Sequence, residues 1–309
     1  MPRIIITGGA GFIGSNIADA YIKEGYKVAI IDNLRTGKKR NINKKAKFYQ
    51  TDILNIKELR EVFEDFKPHY VNHHAANASV VVSIKNPRFD ARNNVIGSLN
   101  LIDLSREFKI KKFIYAASGG ASYGEPKKLP ADETTPLSPL SPYAVDKHVA
   151  EEYLRVYNYI YHLDWIALRY ANVYGPRQDP HGEAGVIAIF AGRMFNNEQC
   201  KINGDGSHTR DYVYIGDVAK ANVLALTKKT KHKAFNIATN VETSTLDIFK
   251  TLKKEINYKK EPIIGPDIPE VVNIRLDYSL AKKELKWKPK IELKEGIQKT
   301  VEWLKKEII

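Results

Sequence analysis

Short runs of apolar residues alternate with amphipathic stretches along the first 240 residues of the chain. The apolar runs are rich in Ile, Val, Phe and Tyr, so each of them predicts a buried strand. Nearly continuous hydrophobic strands are typical of a parallel sheet that is covered on both faces. The predicted strands are residues 3–7, 27–32, 46–51, 69–74, 112–117, 165–170 and 234–238.

The amphipathic stretches between these strands predict helices, of which the clearest cover residues 56–66, 95–108 and 144–162. Strands that alternate with helices indicate βαβ units. We therefore predict an α/β fold with a doubly wound parallel sheet of the Rossmann type.

The alternation loosens after Tyr170, where turns surround a helix predicted near residues 186–196, and a last helix is predicted near residues 293–305. This change indicates a second, smaller mixed α/β domain that binds the substrate. We predict a dinucleotide-binding domain formed by residues 1–172 and 211–240. The substrate domain would comprise residues 173–210 and 241–309.

Composition removes several classes of protein from consideration. The 309 residues are 43% hydrophobic, which suffices for a sizeable core. The sequence has no apolar run of about 18 residues and no signal peptide, so we expect a cytoplasmic protein without a membrane span. Cys200 is the single cysteine, which excludes an intramolecular disulfide, and no Cys/His spacing suggests a metal site.

The formal net charge of +13 raises the alternative of a nucleic-acid partner. The lysines are scattered along the chain and accompany no known RNA- or DNA-binding motif. A lysine-rich solvated surface is therefore the favoured interpretation, and a basic cleft also suits an anionic dinucleotide or nucleotide sugar.

The run TGGAGFIG follows the first predicted strand and opens a predicted helix. Its glycines, Gly8, Gly11 and Gly14, let the backbone approach a pyrophosphate closely, and Phe12 and Ile13 begin the helix. The free N–H groups and the positive dipole end of that helix favour phosphate. The strand–turn–helix context predicts a dinucleotide site.

A carboxylate at the end of the second predicted strand selects the cofactor. Asp32 lies 18 positions beyond Gly14, where it can accept hydrogen bonds from the adenosine ribose. It would repel a 2′-phosphate, so NAD is favoured over NADP, although Arg35 lies nearby. Asp52 follows the third strand and either faces the adenine or, like Asn55, caps the next helix.

The segment SPYAVDK places Tyr143 and Lys147 four positions apart at a helix start, and hence on one face. A lysine ammonium stabilises a nearby phenolate and lowers the pKa of the tyrosine from about 10. The pair therefore predicts a tyrosine that acts as a base.

These motifs together resemble the extended short-chain dehydrogenase/reductases and, within them, the UDP-glucose 4-epimerases. The resemblance covers nearly the whole chain. It is carried by TGGAGFIGSN, DNL, HHAANASV, ASGGASYGEP, SPYAVDK, LRYANVYGPRQDPHGEAGVI, NGDGSHTRDYVYIGDVAKAN, FNIAT and LDYSLAKKELKWKP.

The resemblance implies bound NAD and a base, Tyr143, that removes the proton of the sugar 4-hydroxyl. Lys147 would hold the nicotinamide ribose and tune Tyr143. The third catalytic residue would be Ser118, 25 positions before Tyr143, with Ser122 as the fallback. Further residues implied to line or support the cofactor are Asn33, Ile53, His74, Ala75, Ala76 and Asn94.

The second domain is implied to bind a UDP-sugar. Its expected contacts are Asn172, Val186, Lys201, Asn203, Arg210 and Arg275, and arginine suits a diphosphate through its planar fork of donors.

Departures from the family pattern put the substrate in doubt. Asp267 stands where relatives carry the arginine that grips the diphosphate, and Arg275 is the candidate to compensate. Asn203 replaces a common aromatic residue. Ile274 replaces a bulky tyrosine that restricts some relatives, so N-acetylhexosamine substrates are a further hypothesis.

Rival functions remain open at this point. They include another nucleotide-sugar enzyme on the same scaffold, such as a UDP-hexuronate 4-epimerase, a decarboxylase or a dehydratase. Ser118-Gly119-Gly120 offers no acid for dehydration. A non-catalytic NAD- or RNA-binding protein is the alternative from another class. The resemblance also implies a homodimer that pairs the helices of residues 95–108 and 144–162.

Overall fold

The structure is a computed structural model that describes residues 1–181, 185–266 and 271–308. Its strands are β1 (Arg3–Thr7), β2 (Lys27–Ile31), β3 (Lys47–Tyr49), β4 (Tyr70–His73), β5 (Lys112–Ser118), β6 (Trp165–Tyr170), β7 (Asn172–Tyr174), β8 (Lys201–Asn203), β9 (Thr209–Tyr214), β10 (Ala234–Ile237), β11 (Glu242–Ser244) and β12 (Ile263–Gly265).

The helices between them are α1 (Phe12–Lys23), α2 (Ile56–Phe66), α3 (Val80–Lys85), α4 (Pro87–Ala91), α5 (Gly97–Glu107), α6 (Gly119–Ser122), α7 (Pro142–Tyr161), α8 (Val186–Phe195), α9 (Ile215–Thr227), α10 (Thr245–Ile256) and α11 (Leu293–Ile308). A 3₁₀ turn covers Lys39–Asn41, and π-helical turns cover Arg92–Ile96 and Ala281–Leu285.

The main sheet of the described chain has the order β10-β6-β5-β4-β1-β2-β3 and is parallel throughout. Each strand predicted from the sequence is present. The strand order reverses direction between β1 and β4. In an open α/β sheet, ligands bind beyond the carboxyl ends of the strands at such a point, so the site is expected there.

Both faces of this sheet are covered, as the continuous apolar strands predicted. Along β1, Ile4 and Ile6 pack into the core that contains α1 and α9, while Ile5 packs into the core that contains α2, α5 and α7. Successive side chains of a strand point to opposite faces, which explains the division. The doubly wound Rossmann fold is therefore confirmed.

A third apolar cluster lies outside the sheet and joins Tyr174 to the inner faces of α8, α10 and α11. Two small sheets accompany it, with the orders β11-β9-β7 and β12-β8. These short strands were mostly missed by the sequence analysis, because three-residue strands carry little periodicity. The division into two domains stays a prediction, and β9 crosses the predicted boundary between residues 210 and 211.

One buried carboxylate ties β9 to its surroundings. Asp211 accepts hydrogen bonds from Thr239 N, Thr239 Oγ1 and Asn240 N at 2.7–2.9 Å, and a longer one from Leu276 N. Burial raises the pKa of this carboxyl group, and these donors oppose the rise. The position of the neighbouring Arg210 is thereby fixed relative to the end of the main sheet.

Candidate active site

The glycine turn between β1 and α1 is packed so tightly that it excludes side chains. Gly8 has a φ of +67°, and a Cβ there would lie 2.7 Å from Ala75 N. A Cβ on Gly14 would lie 2.3 Å from the carbonyl oxygen of Gly8. The absence of side chains is what lets another molecule approach the backbone of this turn.

The start of α1 is an open anion site. Gly11 is the N-cap residue and provides no side-chain cap, and the first turn contains no acidic residue. The N–H groups of the first turn therefore remain available to a phosphate, together with the positive end of the helix dipole. Phe12 and Ile13 are half-buried at this start and support the turn.

Asp32 lies at the end of β2, next to this turn, and is 8% exposed. Its Oδ2 accepts a hydrogen bond from Ala10 N at 3.0 Å, and its Oδ1 accepts one from Leu34 N at 2.8 Å. An ionised carboxylate accepts about four hydrogen bonds, so capacity remains for two ribose hydroxyls. Burial raises the pKa of Asp32, and both backbone N–H groups oppose the rise.

Asp32→Asn is expected to weaken NAD binding by about 1.5–3 kcal/mol, roughly tenfold to more than a hundredfold, because charged acceptors make the stronger hydrogen bonds. The measurement is calorimetric titration of the NAD-depleted protein with NAD and with NADP. Loss of the negative charge should also narrow the preference for NAD over NADP. Unchanged NAD affinity would remove Asp32 from the site.

The residues after β3 complete the adenosine end of the predicted cleft. Asp52 Oδ2 accepts a hydrogen bond from Asn33 Nδ2 at 2.8 Å, which joins the ends of β2 and β3. Ile53 is 7% exposed and packs against Gly97 at the start of α5. Asn55, not Asp52, caps α2 through Glu58 N, and the contact of Asp52 with the adenine stays a prediction.

The hydroxyl of Thr7, which the sequence analysis missed, organises the end of β4. Thr7 Oγ1 lies 2.7 Å from His73 Nδ1 and accepts hydrogen bonds from the N–H groups of His74 and Ala75. The ring of His74 stacks on Tyr170, and its Nδ1 is buried without a partner in the described chain. Burial, reinforced by Lys147, lowers the pKa of His74 to about 3, so this ring is neutral.

Asn94 holds the segment that follows β4. Its Oδ1 accepts a hydrogen bond from Asn77 N at 2.8 Å, and its Nδ2 donates to Asn77 O at 2.9 Å. The side chain is 1% exposed and belongs to the π-helical turn before α5. Its contacts support the backbone beside the half-buried Ala76, and its role in supporting the cofactor stays a prediction.

The predicted catalytic residues come together at the end of β5 and the start of α7. Ser141 caps α7 through Ala144 N, and Pro142 follows it, so the helix starts directly before Tyr143. The hydroxyl of Ser118 lies beside the phenol of Tyr143 and opposes the rise in its pKa that burial causes. Lys147 Nζ lies 6.0 Å from the centroid of the Tyr143 ring and donates to the carbonyl of Ala116 at 2.9 Å.

The pKa of Tyr143 differs from the sequence-based expectation. Burial raises it to about 12, against the opposing effect of Ser118, whereas the sequence analysis expected Lys147 to lower it. Lys147 lies behind the ring and is itself buried, which lowers its pKa to about 8. The protein alone therefore holds Tyr143 as a phenol.

The fallback serine is placed differently from Ser118. Ser122 is fully buried in α6, and its Oγ has no hydrogen-bond partner among the described residues. Ser118 is half-buried at the end of β5 and contacts Tyr143. The geometry therefore favours Ser118 over Ser122.

Two of the predicted substrate residues lie on short strands close to the end of β5, where Ser118 lies. Ser118 pairs with Tyr170 at the ends of β5 and β6, and Asn172 begins β7 two residues later. Asn172 pairs with Tyr212 on β9, the strand that carries Arg210. Arg210 is half-buried and donates from Nη1 to the carbonyl groups of Thr209 and Val272.

The remaining substrate candidates lie on the smaller sheets or beside them. Lys201 and Asn203 are exposed on β8, Val186 begins α8, and Arg275 Nε lies 3.4 Å from Glu242 Oε1. Ile274 is 1% exposed in the core below the main sheet, so the structure does not place it as a gate of an open pocket. Asp267, which raised doubt about the diphosphate site, lies outside the described residues.

Two further features are absent from the described ranges. No set of three or more His, Cys, Asp or Glu side chains is arranged to hold a metal ion. Nor is any helix of those ranges both long and apolar enough to cross a membrane.

Comparisons with known proteins agree with this geometry. The profile of the NAD dependent epimerase/dehydratase family matches residues 4–238. A relative from Methanocaldococcus jannaschii, provisionally named UDP-glucose 4-epimerase, is 49% identical over 303 residues and 98% of either chain.

Two solved structures are similar over nearly the whole chain. The UDP-glucose 4-epimerase of Thermotoga maritima with UDP-glucose has a TM-score of 0.97 and 46% identity, covering 99% of this chain and 100% of that one. The UDP-glucose 4-epimerase of Thermus thermophilus in complex with NAD has a TM-score of 0.93 and 40% identity, covering 98% and 99%.

Proposed function

The chain belongs to the NAD dependent epimerase/dehydratase family, and from that premise we propose that it inverts C4 of a UDP-hexose of the glucose and galactose type. It is an enzyme that uses NAD and acts on a nucleotide sugar. The observation that carries the proposal is the proximity of Tyr143 to both Ser118 and Lys147, in a chain that also has the glycine turn before α1.

The residues present fit NAD. The glycine turn and the uncapped start of α1 suit a pyrophosphate, and Asp32 retains lone pairs for a ribose. Lys147 uses one of its three donors on Ala116 and has others for the second ribose. When bound, NAD supplies the acceptor and donor of a hydride at sugar C4, and its cationic ring favours ionisation of Tyr143.

Tyr143 takes the role of the base in this proposal. Its phenolate accepts the proton of the sugar 4-hydroxyl, which becomes a ketone, and returns it when the hydroxyl forms again on the opposite face. Ser118 donates a hydrogen bond to the same sugar oxygen, and Lys147 supplies the positive charge that offsets the phenolate. No proton is consumed over the cycle, which suits an isomerisation.

The preference for a uridine diphosphate sugar rests on the second half of the site. Arg210 and Asn172 lie on neighbouring strands that continue from the Ser118 end of the main sheet. A guanidinium and an amide are suitable donors for a diphosphate. The similar structure from Thermotoga maritima contains UDP-glucose, which supports the same substrate class here.

The test is to incubate the purified protein with UDP-galactose, without added cofactor, and to quantify UDP-glucose by chromatography. We expect conversion to an equilibrium mixture, because NAD is regenerated in each cycle. UDP-N-acetylgalactosamine and UDP-galacturonate, run in parallel, report the substrate class. If only one of these two sugars is converted, that sugar is the substrate. If none of the three nucleotide sugars is converted, the proposal is contradicted.

We also propose that the protein is a homodimer that pairs α5 and α7 with their copies. The outer face of α7 exposes a series of large apolar side chains, and Ile96 before α5 is 49% exposed. Burial of such a patch provides the main driving force for association. The exposed apolar residues of α7 are Val145, Tyr153, Val156, Tyr159, Ile160 and Tyr161.

Ile160→Glu is expected to convert the dimer into a monomer, because a charge would be buried without a partner in the paired helices. Light scattering coupled to size-exclusion chromatography measures the mass. Ile264→Glu is the matched control, since Ile264 is 59% exposed on β12, away from α7. A wild-type monomer at micromolar concentration would contradict the proposed dimer.

A further inference from the structure

Two buried carboxyl groups face each other beside the catalytic residues and have no role in the reaction described above. Asp90 on α4 is fully buried, and Asp146 on α7, directly before Lys147, is 7% exposed. Helix α4 packs against α7, and Asp90 is the neighbour that, after burial, raises the pKa of Asp146. The Oδ2 atoms of both are buried without a hydrogen-bond donor in the described part of the chain.

This arrangement requires a proton. Two ionised carboxylates in contact in a buried place repel each other strongly, and each unpaired oxygen adds a cost of desolvation. A single proton removes the repulsion and supplies the missing hydrogen bond, because one carboxyl group becomes an O–H donor and the other accepts from it.

The neighbours indicate which partner keeps the proton. Asn77 Nδ2 donates to Asp90 Oδ1 at 2.5 Å, so this oxygen acts as an acceptor. Burial, followed by the effect of the neighbouring Asp90, raises the pKa of Asp146 to about 7. The shared proton is therefore assigned to Asp146, whose O–H can donate a hydrogen bond to Asp90.

The charge of Asp90 bears on both catalytic residues. Burial lowers the pKa of Lys147, and two carboxyl groups oppose this change, Asp90 more strongly than Glu151. Glu151 is already paired with Arg169, whose Nη2 lies 2.8 Å from Glu151 Oε2. The same charge of Asp90 also raises the pKa of Tyr143 and so opposes its ionisation.

The other titratable groups around the pair do not replace its charge. The rings of His73 and His74 are neutral because burial lowers their pKa values, and burial raises the pKa of Tyr115, so it remains a phenol. The groups that face the site are Tyr143, Lys147 and Glu151 from α7, Tyr115 from β5, Arg169 from β6, His73 from β4, and His74 just after it.

We propose that Asp90 and Asp146 form an acid pair that holds one proton, so that a single negative charge balances Lys147 while a second charge is kept away from Tyr143. Asp146 is then a positioning residue, since it acts through Asp90 and Lys147. The effect on turnover rests on the proposed function, but the shared proton does not.

We expect the acid pair to make the kcat of the enzyme depend on pH. Loss of the shared proton places a second negative charge near Tyr143, which disfavours the phenolate and lowers kcat. We expect a fall on the order of tenfold as the pH rises through the range in which the pair ionises. In Asp146→Asn, the amide can donate to Asp90 but cannot ionise, so this fall should disappear.

Stability supplies a readout without substrate. A carboxyl group whose pKa is higher in the folded than in the unfolded chain destabilises the fold as pH rises from the unfolded value towards the folded one. The Tm of Asp146→Asn minus that of the wild type should therefore be larger above neutral pH than near pH 4. Asp65→Asn is the matched control, because Asp65 is an exposed carboxylate whose pKa is lowered by Lys47.

Infrared spectroscopy of the wild-type protein tests the shared proton directly. The carbonyl stretch of a protonated carboxylic acid should persist at about pH 6, fade above neutral pH, and be absent from Asp146→Asn but present in Asp65→Asn. Absence of this band in the wild type would overturn the acid pair. A band without any difference in kcat–pH profiles between wild type and Asp146→Asn would overturn its link to Tyr143. If no nucleotide sugar were converted, the proposed function would fail, and the infrared and Tm results would still decide the pair.

Discussion

Tyr143→Phe is expected to lower kcat about 10³-fold or more while NAD stays bound in the purified protein. Phenylalanine removes the group that exchanges a proton with the sugar hydroxyl, and that group lies beside Ser118. The side chain keeps its shape, so removal of the hydroxyl should cost no more than about 1 kcal/mol of stability.

The measurement is the rate of UDP-glucose formation from UDP-galactose, with the NAD content determined after denaturation of the same sample. Tyr26→Phe is the matched control, since Tyr26 directly precedes β2 at the amino ends of the main strands, away from Ser118 at the carboxyl end of β5. Its kcat should equal that of the wild type. A Tyr143→Phe enzyme that retains a tenth or more of the activity would show that another group is the base.

The cofactor half of the site could be predicted from the sequence because its residues lie in short contiguous motifs. The turn with Gly8 and Gly14 and the carboxylate Asp32 each lie at the end of a strong apolar run, so their positions follow from the sheet alone. The Tyr143–Lys147 spacing likewise follows from the helix period.

The parts that could not be predicted depend on contacts between distant segments. Asp90 and Asp146 are 56 positions apart and meet only because α4 packs against α7. An aspartate in a helix is most often solvated, so nothing in the pattern marked these two as buried. The direction of the Tyr143 pKa was wrong for a related reason, since spacing gives the proximity of Lys147 but not the extent of burial.

The substrate half was predictable in part. The motifs around Asn172 and Arg210 marked both residues as diphosphate contacts, which stays a prediction, and the strand pairing places them on neighbouring strands near the Ser118 end of β5. Ile274 was assigned a role by its position relative to the tail motif, yet its side chain is buried in the core. Matching a motif gives the position of a residue along the backbone. The direction in which its side chain points depends on how the local strands pair.

Gly14→Ala is expected to yield a protein that retains no NAD and is less stable by about 3 kcal/mol. The added Cβ would lie 2.3 Å from the carbonyl oxygen of Gly8 and 3.0 Å from the Cα of Gly9, both of them backbone atoms that cannot rotate away. Relief requires that α1 move away from the turn, which removes its N–H groups from the pyrophosphate position. The nucleotide content of the purified protein and its Tm measure the two effects.

Gly185→Ala provides the matched comparison, because the nearest atom to its added Cβ is Gln178 Nε2 at 3.6 Å, an ordinary contact. This variant should keep its NAD and its Tm. Two outcomes for Gly14→Ala distinguish the causes of a failure. If the variant folds but contains no NAD, the close approach of α1 to the turn is required for cofactor binding. If the variant folds and still contains NAD, the pyrophosphate does not bind at this turn.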